Sequence, residues 1–147
     1  MASTTLGRVL GVDLGERRIG LAIGDETATL ASELSVLPRA TFDQDAASLR
    51  AIVQQRGVSA IVVGLPRSLS GELGWQAQRT LAWVDEMRLR LDTRIETWDE
   101  RLTTVEATRA LTFAGVSGRR QKERIDMTAA AVMLQSYLDS RRGLDGA

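Results

Sequence analysis

At 147 residues and 44% apolar content, the chain is long enough to bury a core of its own without staples. Its 19 basic and 19 acidic residues cancel, and it contains neither cysteine nor histidine. Those absences exclude a Ser-His-Asp triad, a thiolate nucleophile and a His/Cys zinc site. What remains for chemistry is carboxylates, hydroxyls, backbone dipoles, arginines and a single lysine, Lys122. Clustered carboxylates without imidazole suit a hard, oxygen-seeking cation, Mg²⁺ or Mn²⁺. No apolar run approaches a membrane span, and MASTTLGR lacks the pattern of a signal peptide, so a cytoplasmic protein away from membranes is expected.

In chain order, Val9 to Asp13 is an apolar run that ends in an acid and reads as a buried central strand. Arg18 to Gly24 alternates Ile19, Leu21 and Ile23 with Gly20, Ala22 and Gly24, giving one bulky face and one small enough for a close neighbour. Asp13-Leu14-Gly15-Glu16 is the tight connection that makes these strands a hairpin. A third strand spans about Ala31 to Leu37 and stops at Pro38. Phe42 to Arg56 has helical spacing, with Gly57 as its stop. Ala60 to Val63 is a short strand that enters Gly64-Leu65-Pro66, and a polar loop continues to Gly71. Trp75 to Leu91 is a helix and Thr93 to Trp98 a strand.

A loop carrying Asp99, Glu100 and Arg101 follows. Thr103 and Glu106 have the spacing of a capping box, which predicts a third helix from there. Gly115 to Gly118 interrupts it, and a last helix runs from about Arg124 to Arg142. The order β-β-β-α-β-α-β-α-α has no repeat and no linker, and is expected to form one domain over residues 1–147. It implies an α/β fold with a five-stranded mixed sheet, a three-strand antiparallel meander plus two parallel strands, flanked by helices.

Three acids are candidates, two of them at the C-terminal ends of strands, where such a sheet places ligands. Asp13 closes the first strand, Glu100 follows the last, and Asp126 leads an apolar helical stripe of Ala129, Ala130, Met133 and Tyr137. Each has an ordinary explanation when taken singly: a hairpin Asp, a solvated acid near a helix start, an N-terminal helix Asp. Asp99 competes with Glu100, because one step of register swaps which side chain faces the site. Together the three suggest more. Unpaired carboxylates about 4 Å apart repel by several kcal/mol per pair at a dielectric near 20, unless divalent cations neutralise them. Such ions can activate water against a phosphodiester without any histidine.

Around these acids, Arg17, Arg101 and Lys122 are candidate substrate contacts. Arg119, Arg120, Lys122 and Arg124 form the one concentrated basic stretch, set against Glu123. Net zero charge weighs against strong nucleic-acid binding, although a catalytic acid cluster masks a local surplus. The Gly64–Gly71 segment lacks the Gly-Lys-Ser/Thr ending of a P-loop.

Four motifs carry a family resemblance: Gly11-Val12-Asp13-Leu14-Gly15, Val63-Gly64-Leu65-Pro66, Asp99-Glu100-Arg101-Leu102-Thr103-Thr104 and Ile125-Asp126-Met127-Thr128-Ala129-Ala130. In this order and spacing they resemble the YqgF/RuvX family over nearly the whole chain. The resemblance implies an RNase H-like fold, a divalent-metal nuclease site and a role in maturing the 5′ end of 16S ribosomal RNA precursors. It makes Asp13 the first-strand acid, Glu100 the acid of the Asp-Glu-Arg motif and Asp126 the last-helix acid, with Lys122 at a position that is often basic. RuvC-like sites can have a fourth acid where this chain has Ala129, so one ligand is missing here.

The alternative substrate is branched DNA, cut by the same chemistry as a Holliday junction resolvase. Resolution needs two symmetric cuts, so a monomer or a homodimer is the distinguishing state. Two other classes compete: a nucleotide-binding module, since Asp-x-Gly after a first strand also occurs in actin-like ATPases, and a non-catalytic nucleic-acid-binding module. The actin-like folds need two lobes, and this chain has room for one.

Overall fold

The structure, a computed structural model, describes residues 7–66, 74–99 and 118–146. Five strands, β1 (Arg8–Leu14), β2 (Arg18–Gly24), β3 (Ala31–Pro38), β4 (Val58–Leu65) and β5 (Arg94–Asp99), form one sheet in the order β3-β2-β1-β4-β5. β1 pairs antiparallel with β2 and β2 with β3, whereas β1–β4 and β4–β5 are parallel. This is the expected meander plus two crossover strands. The helices are α1 (Phe42–Arg56), α2 (Trp75–Arg90) and α3 (Arg119–Gly146). The helix expected from Thr103 and the loop that carries Glu100 lie outside the described residues.

α1 starts where its capping chemistry puts it. Thr41 Oγ1 accepts the Gln44 N–H at 3.1 Å and Gln44 Oε1 accepts the Thr41 N–H at 3.3 Å. Gly57 ends the helix at φ 64°, a left-handed conformation that glycine adopts without steric cost. Asp45 is buried, yet it accepts the Ala40 N–H at 3.0 Å and the Trp83 Nε1–H at 3.1 Å, which joins α1 to α2. A buried acid satisfied in this way is a structural bond between two helices.

The two faces of the sheet differ in side-chain size. Leu10 and Val12 of β1 and Ile19 and Leu21 of β2 point toward α1 and α2, where Leu49 and Trp83 meet them. The opposite face carries Val9, Ala22 and Val62 and receives Met133, Leu134 and Leu138 of α3. Glycines on this second face let the helix come close. A methyl group on Gly11 would stand 2.9 Å from Leu134 Cβ, and one on Gly20 would collide with the backbone carbonyl of Asp126, 2.7 Å from its carbon. The alternation read in Arg18–Gly24 is therefore the shape of the α3 seat.

α3 differs from expectation in length: it begins at Arg119, after Gly118 at φ 92°, and extends to Gly146. The reason is that Arg, Gln, Lys and Glu are good helix formers without being apolar. The apolar rhythm that signals a helix starts only at Ile125, a turn and a half later. Consequently Asp126 lies about two turns inside the helix and is not a cap. Among the described residues no helix is long and apolar enough to cross a membrane.

The seat predicts a contrast between two glycines of one strand. Gly20→Ala should lower unfolding free energy by about 3 kcal/mol in urea denaturation, because backbone has to move. Gly24→Ala, whose added methyl would meet Leu138 Cδ1 and Val9 O at an ordinary 3.5 Å, should change it by less than about 0.5 kcal/mol. Equal effects at the two positions would contradict the close seat.

Candidate functional site

Asp13 occupies the end of β1, the middle strand of the sheet, and only 5% of it is exposed. Alternation along β1 puts it on the α3 face with Val9 and Gly11. Its cross-strand partner is Gly20, the residue on which the backbone of Asp126 rests. Directly paired residues of an antiparallel ladder have Cβ positions at most about 5.5 Å apart. The Cβ that Gly20 lacks would stand 3.2 Å from Asp126 Cβ. Adding the two steps bounds the Asp13–Asp126 Cβ separation at about 9 Å. Acids from opposite ends of the sequence thus share one face at one end of the sheet.

Asp126 is not the unpaired carboxylate that the repulsion argument assumed. Arg18, on the same face of β2, donates its Nε–H to Asp126 Oδ2 at 2.7 Å, with both side chains largely covered. The cause is local: alternation turns Arg18 toward the helix that Gly20 admits. A carboxylate has roughly four lone-pair positions, so one N–H does not exhaust its capacity.

β5 separates Asp99 from the other acids. Ile95 joins the core under α1 and α2, whereas Glu96 accepts a hydrogen bond from Tyr137 of α3 and Trp98 packs edge-on against the same ring, centroids 5.5 Å apart. By alternation Asp99 belongs with Ile95, on the face away from Asp13. Glu100 and Arg101 lie outside the described residues. Among the described residues no three acidic side chains come together as a metal site. Lys122 is exposed, one turn ahead of Asp126 on α3, and Arg17 is exposed in the β1–β2 turn, where its carbonyl accepts the Arg39 N–H at 2.8 Å.

A cleft of about 230 Å³ opens at this end of the sheet, lined among others by Asp13, Glu16, Arg39, Gln76, Arg79 and Thr80. Arg39 and Arg79 are basic residues that the sequence motifs did not single out. Arg39 follows the Pro38 that ends β3, and the pairing of Arg18 with Pro38 returns it to the β1–β2 turn. There its Nη1 donates to the Gly15 carbonyl at 3.2 Å. That position was deducible from the meander. Arg79 comes from α2, and nothing in the local sequence marks it.

A family model described as "RuvX: Holliday junction resolvase" matches residues 7–140. The chain belongs to the RuvX family. It is 42% identical over 135 residues to a protein of Desulforudis audaxviator named "Putative pre-16S rRNA nuclease", covering 92% of this chain and 96% of that one. A Chloroflexus aggregans protein of the same name is 43% identical over 134 residues, covering 91% and 94%. Among solved structures, T. thermophilus RuvC in complex with a Holliday junction substrate aligns with a TM-score of 0.56 at 15% identity, covering 93% of this chain and 96% of that one. The fowlpox virus resolvase aligns with a TM-score of 0.51 at 10% identity, covering 91% and 98%. At such identities the likeness is one of fold, and it places this RuvX-family sheet in the RNase H-like class together with RuvC.

Tyr137 fastens α3 to β5 beside this site. Burial, then its 2.7 Å hydrogen bond to Glu96, push its phenol up to about 12. It is the only tyrosine of the chain, so phenolate absorbance reports it alone. The folded protein should titrate with a midpoint near 12. Since the unfolded phenol ionises near pH 10, stability from this group should be intact below about pH 10 and lost as pH rises toward the folded value. A midpoint at about 10 in folded protein would show that neither the burial of this phenol nor its Glu96 contact holds.

Proposed function

We propose that this RuvX-family protein is a divalent-metal-dependent nuclease that hydrolyses phosphodiester bonds in precursor 16S ribosomal RNA, at its 5′ end, as part of ribosome biogenesis in the cytoplasm. The reading assigns the activity to one RNase H-like domain over residues 1–147, with Asp13, Glu100 and Asp126 as catalytic metal ligands. The observation that carries it is the seating of the Asp126 backbone on Gly20, directly across from Asp13. It brings two of the three expected acids to one end of the sheet, where Asp13 also lines the cleft. The names of the curated relatives supply the substrate class.

The donor chemistry fits a hard cation. The chain has no histidine or cysteine, and its acids offer oxygen alone. Mg²⁺ or Mn²⁺ held by Asp13, Asp126 and Glu100 would supply an activated water and stabilise the leaving oxygen of a phosphodiester. The protein's part is placement. Asp13 is held rigid by the middle of the sheet, and Arg18 fixes one oxygen of Asp126 so that the carboxylate keeps its aim. Of the two acids that follow Trp98, Glu100 is the proposed ligand, because Asp99 turns to the other face. Arg39, Arg17, Arg101 and Lys122 are the proposed phosphate contacts, and they set the strand against the acids without reading its sequence.

Asp13→Asn and Asp126→Asn keep shape, and an amide oxygen at position 126 can still accept the Arg18 N–H. Both variants should retain the wild-type melting temperature within a few degrees. They should lose metal-dependent cleavage of a 5′-extended 16S precursor by at least about a hundredfold, since removing even outer-shell partners of a catalytic metal costs about 10–100-fold. A four-way DNA junction in parallel tests the resolvase alternative, with solution mass separating monomer from homodimer. Wild-type product levels from either variant would reject the site; cleavage of the junction alone would replace RNA by branched DNA as the substrate.

A further inference from the structure

Trp75 is the first residue of α2 and stands 56% exposed. Its position has no core purpose, because α2 buries Ala77, Trp83, Val84 and Met87 on its inner side. One turn along, the Arg79 guanidinium carbon lies 5.1 Å from the centre of the Trp75 ring. That is within cation–π range and orients the indole. Arg79 also lines the cleft that contains Asp13. Arg79 therefore links the cleft that Asp13 helps to line with an exposed indole beside it. The first turn of α2 carries no acid that would repel a phosphate.

We propose that Trp75 and Arg79 form a stacking platform for an unpaired nucleotide at the rim of the Asp13 cleft. The indole takes the face of a base and Arg79 the adjoining phosphate. This deepens the nuclease reading and rests on it. Every base has a π face, so such a platform tolerates any sequence, but a base within a duplex has both faces covered by its neighbours. The platform thus selects single-stranded segments, which suits a precursor RNA with an unpaired 5′ extension better than the paired arms of a four-way junction. An aromatic ring also adds contact without adding charge, which is consistent with a chain whose net charge is zero.

The test uses fluorescence anisotropy of a labelled single-stranded RNA and of a blunt RNA duplex of equal length, in EDTA so that nothing is cut. Trp75→Ala should weaken single-strand binding about five- to tenfold while duplex binding changes less than about twofold, and Trp75→Phe should recover most of the loss. Equal losses on both RNAs, no loss on either, or a wild-type protein without single-strand preference would each overturn the platform. Cleavage of the same RNA with metal added, by wild type and by Asp13→Asn, tests the nuclease reading separately. Binding that depends on Trp75 without any cleavage sinks the nuclease and keeps the platform. Cleavage that depends on Asp13 with unchanged Trp75→Ala binding does the reverse.

Discussion

The contact between Gly20 and the backbone of Asp126 is the constraint on which the rest of the site depends. A helix packed on a sheet through ordinary side chains stands off by about 10 Å, too far for a short carboxylate on the helix to share a ligand with one in the strand. The missing side chains of Gly11 and Gly20 remove that gap. They let α3 settle until its carbonyl at position 126 occupies the space of a methyl group. The docking is reinforced away from the site, where Gln135 accepts the Ala31 N–H at 2.9 Å and donates to the Thr29 carbonyl at 2.8 Å. Glycine in a strand lowers its stability, and here that cost gives the site its geometry.

Charge is handled as locally as shape. A carboxylate covered from water needs a partner for its charge, and Arg18 supplies one to Asp126 at 2.7 Å. Truncating either side chain would remove the hydrogen bond together with the charge, whereas an amide at position 126 keeps the hydrogen bond. It also stops the carboxylate from turning to another donor. Arg18 and Gly20 lie on the same face of the same strand, so one stretch of sequence both admits the helix and holds its acid.

The sequence was most legible where chemistry and periodicity agree. The β1–β2 hairpin, β3 ending at Pro38, and α1 from Phe42 to its stop at Gly57 could all be placed from the sequence, and the Thr41 capping box gives the start of α1 its local cause. The start of α3 was not legible, since its first turns are polar and a helix read from apolar rhythm begins too late. The faces of Asp99 and of Arg18 needed the structure, because a strand's alternation gives two faces without saying which one meets which helix. Contacts with Tyr137 and Asp126 supply that assignment. Arg79 and Trp75 were the least visible: a basic residue and an aromatic on the outer side of a helix look like any other surface until the cleft beside them is seen.

The zero net charge also acquires a physical meaning. A protein that holds nucleic acid mainly through a broad basic surface needs a surplus of arginine and lysine, and its affinity falls steeply with salt. This chain has no such surplus, although some of its positive charge lies near the cleft, with Arg39 and Arg79 lining it and Lys122 at the head of α3. On the proposed reading, a few phosphate contacts near the acids would orient the strand yet give little affinity of their own. The remainder would then come from contacts that are not charged, such as the proposed Trp75 platform. Binding of this kind depends weakly on ionic strength and strongly on whether bases are free to stack, so it discriminates by strandedness before any base is read.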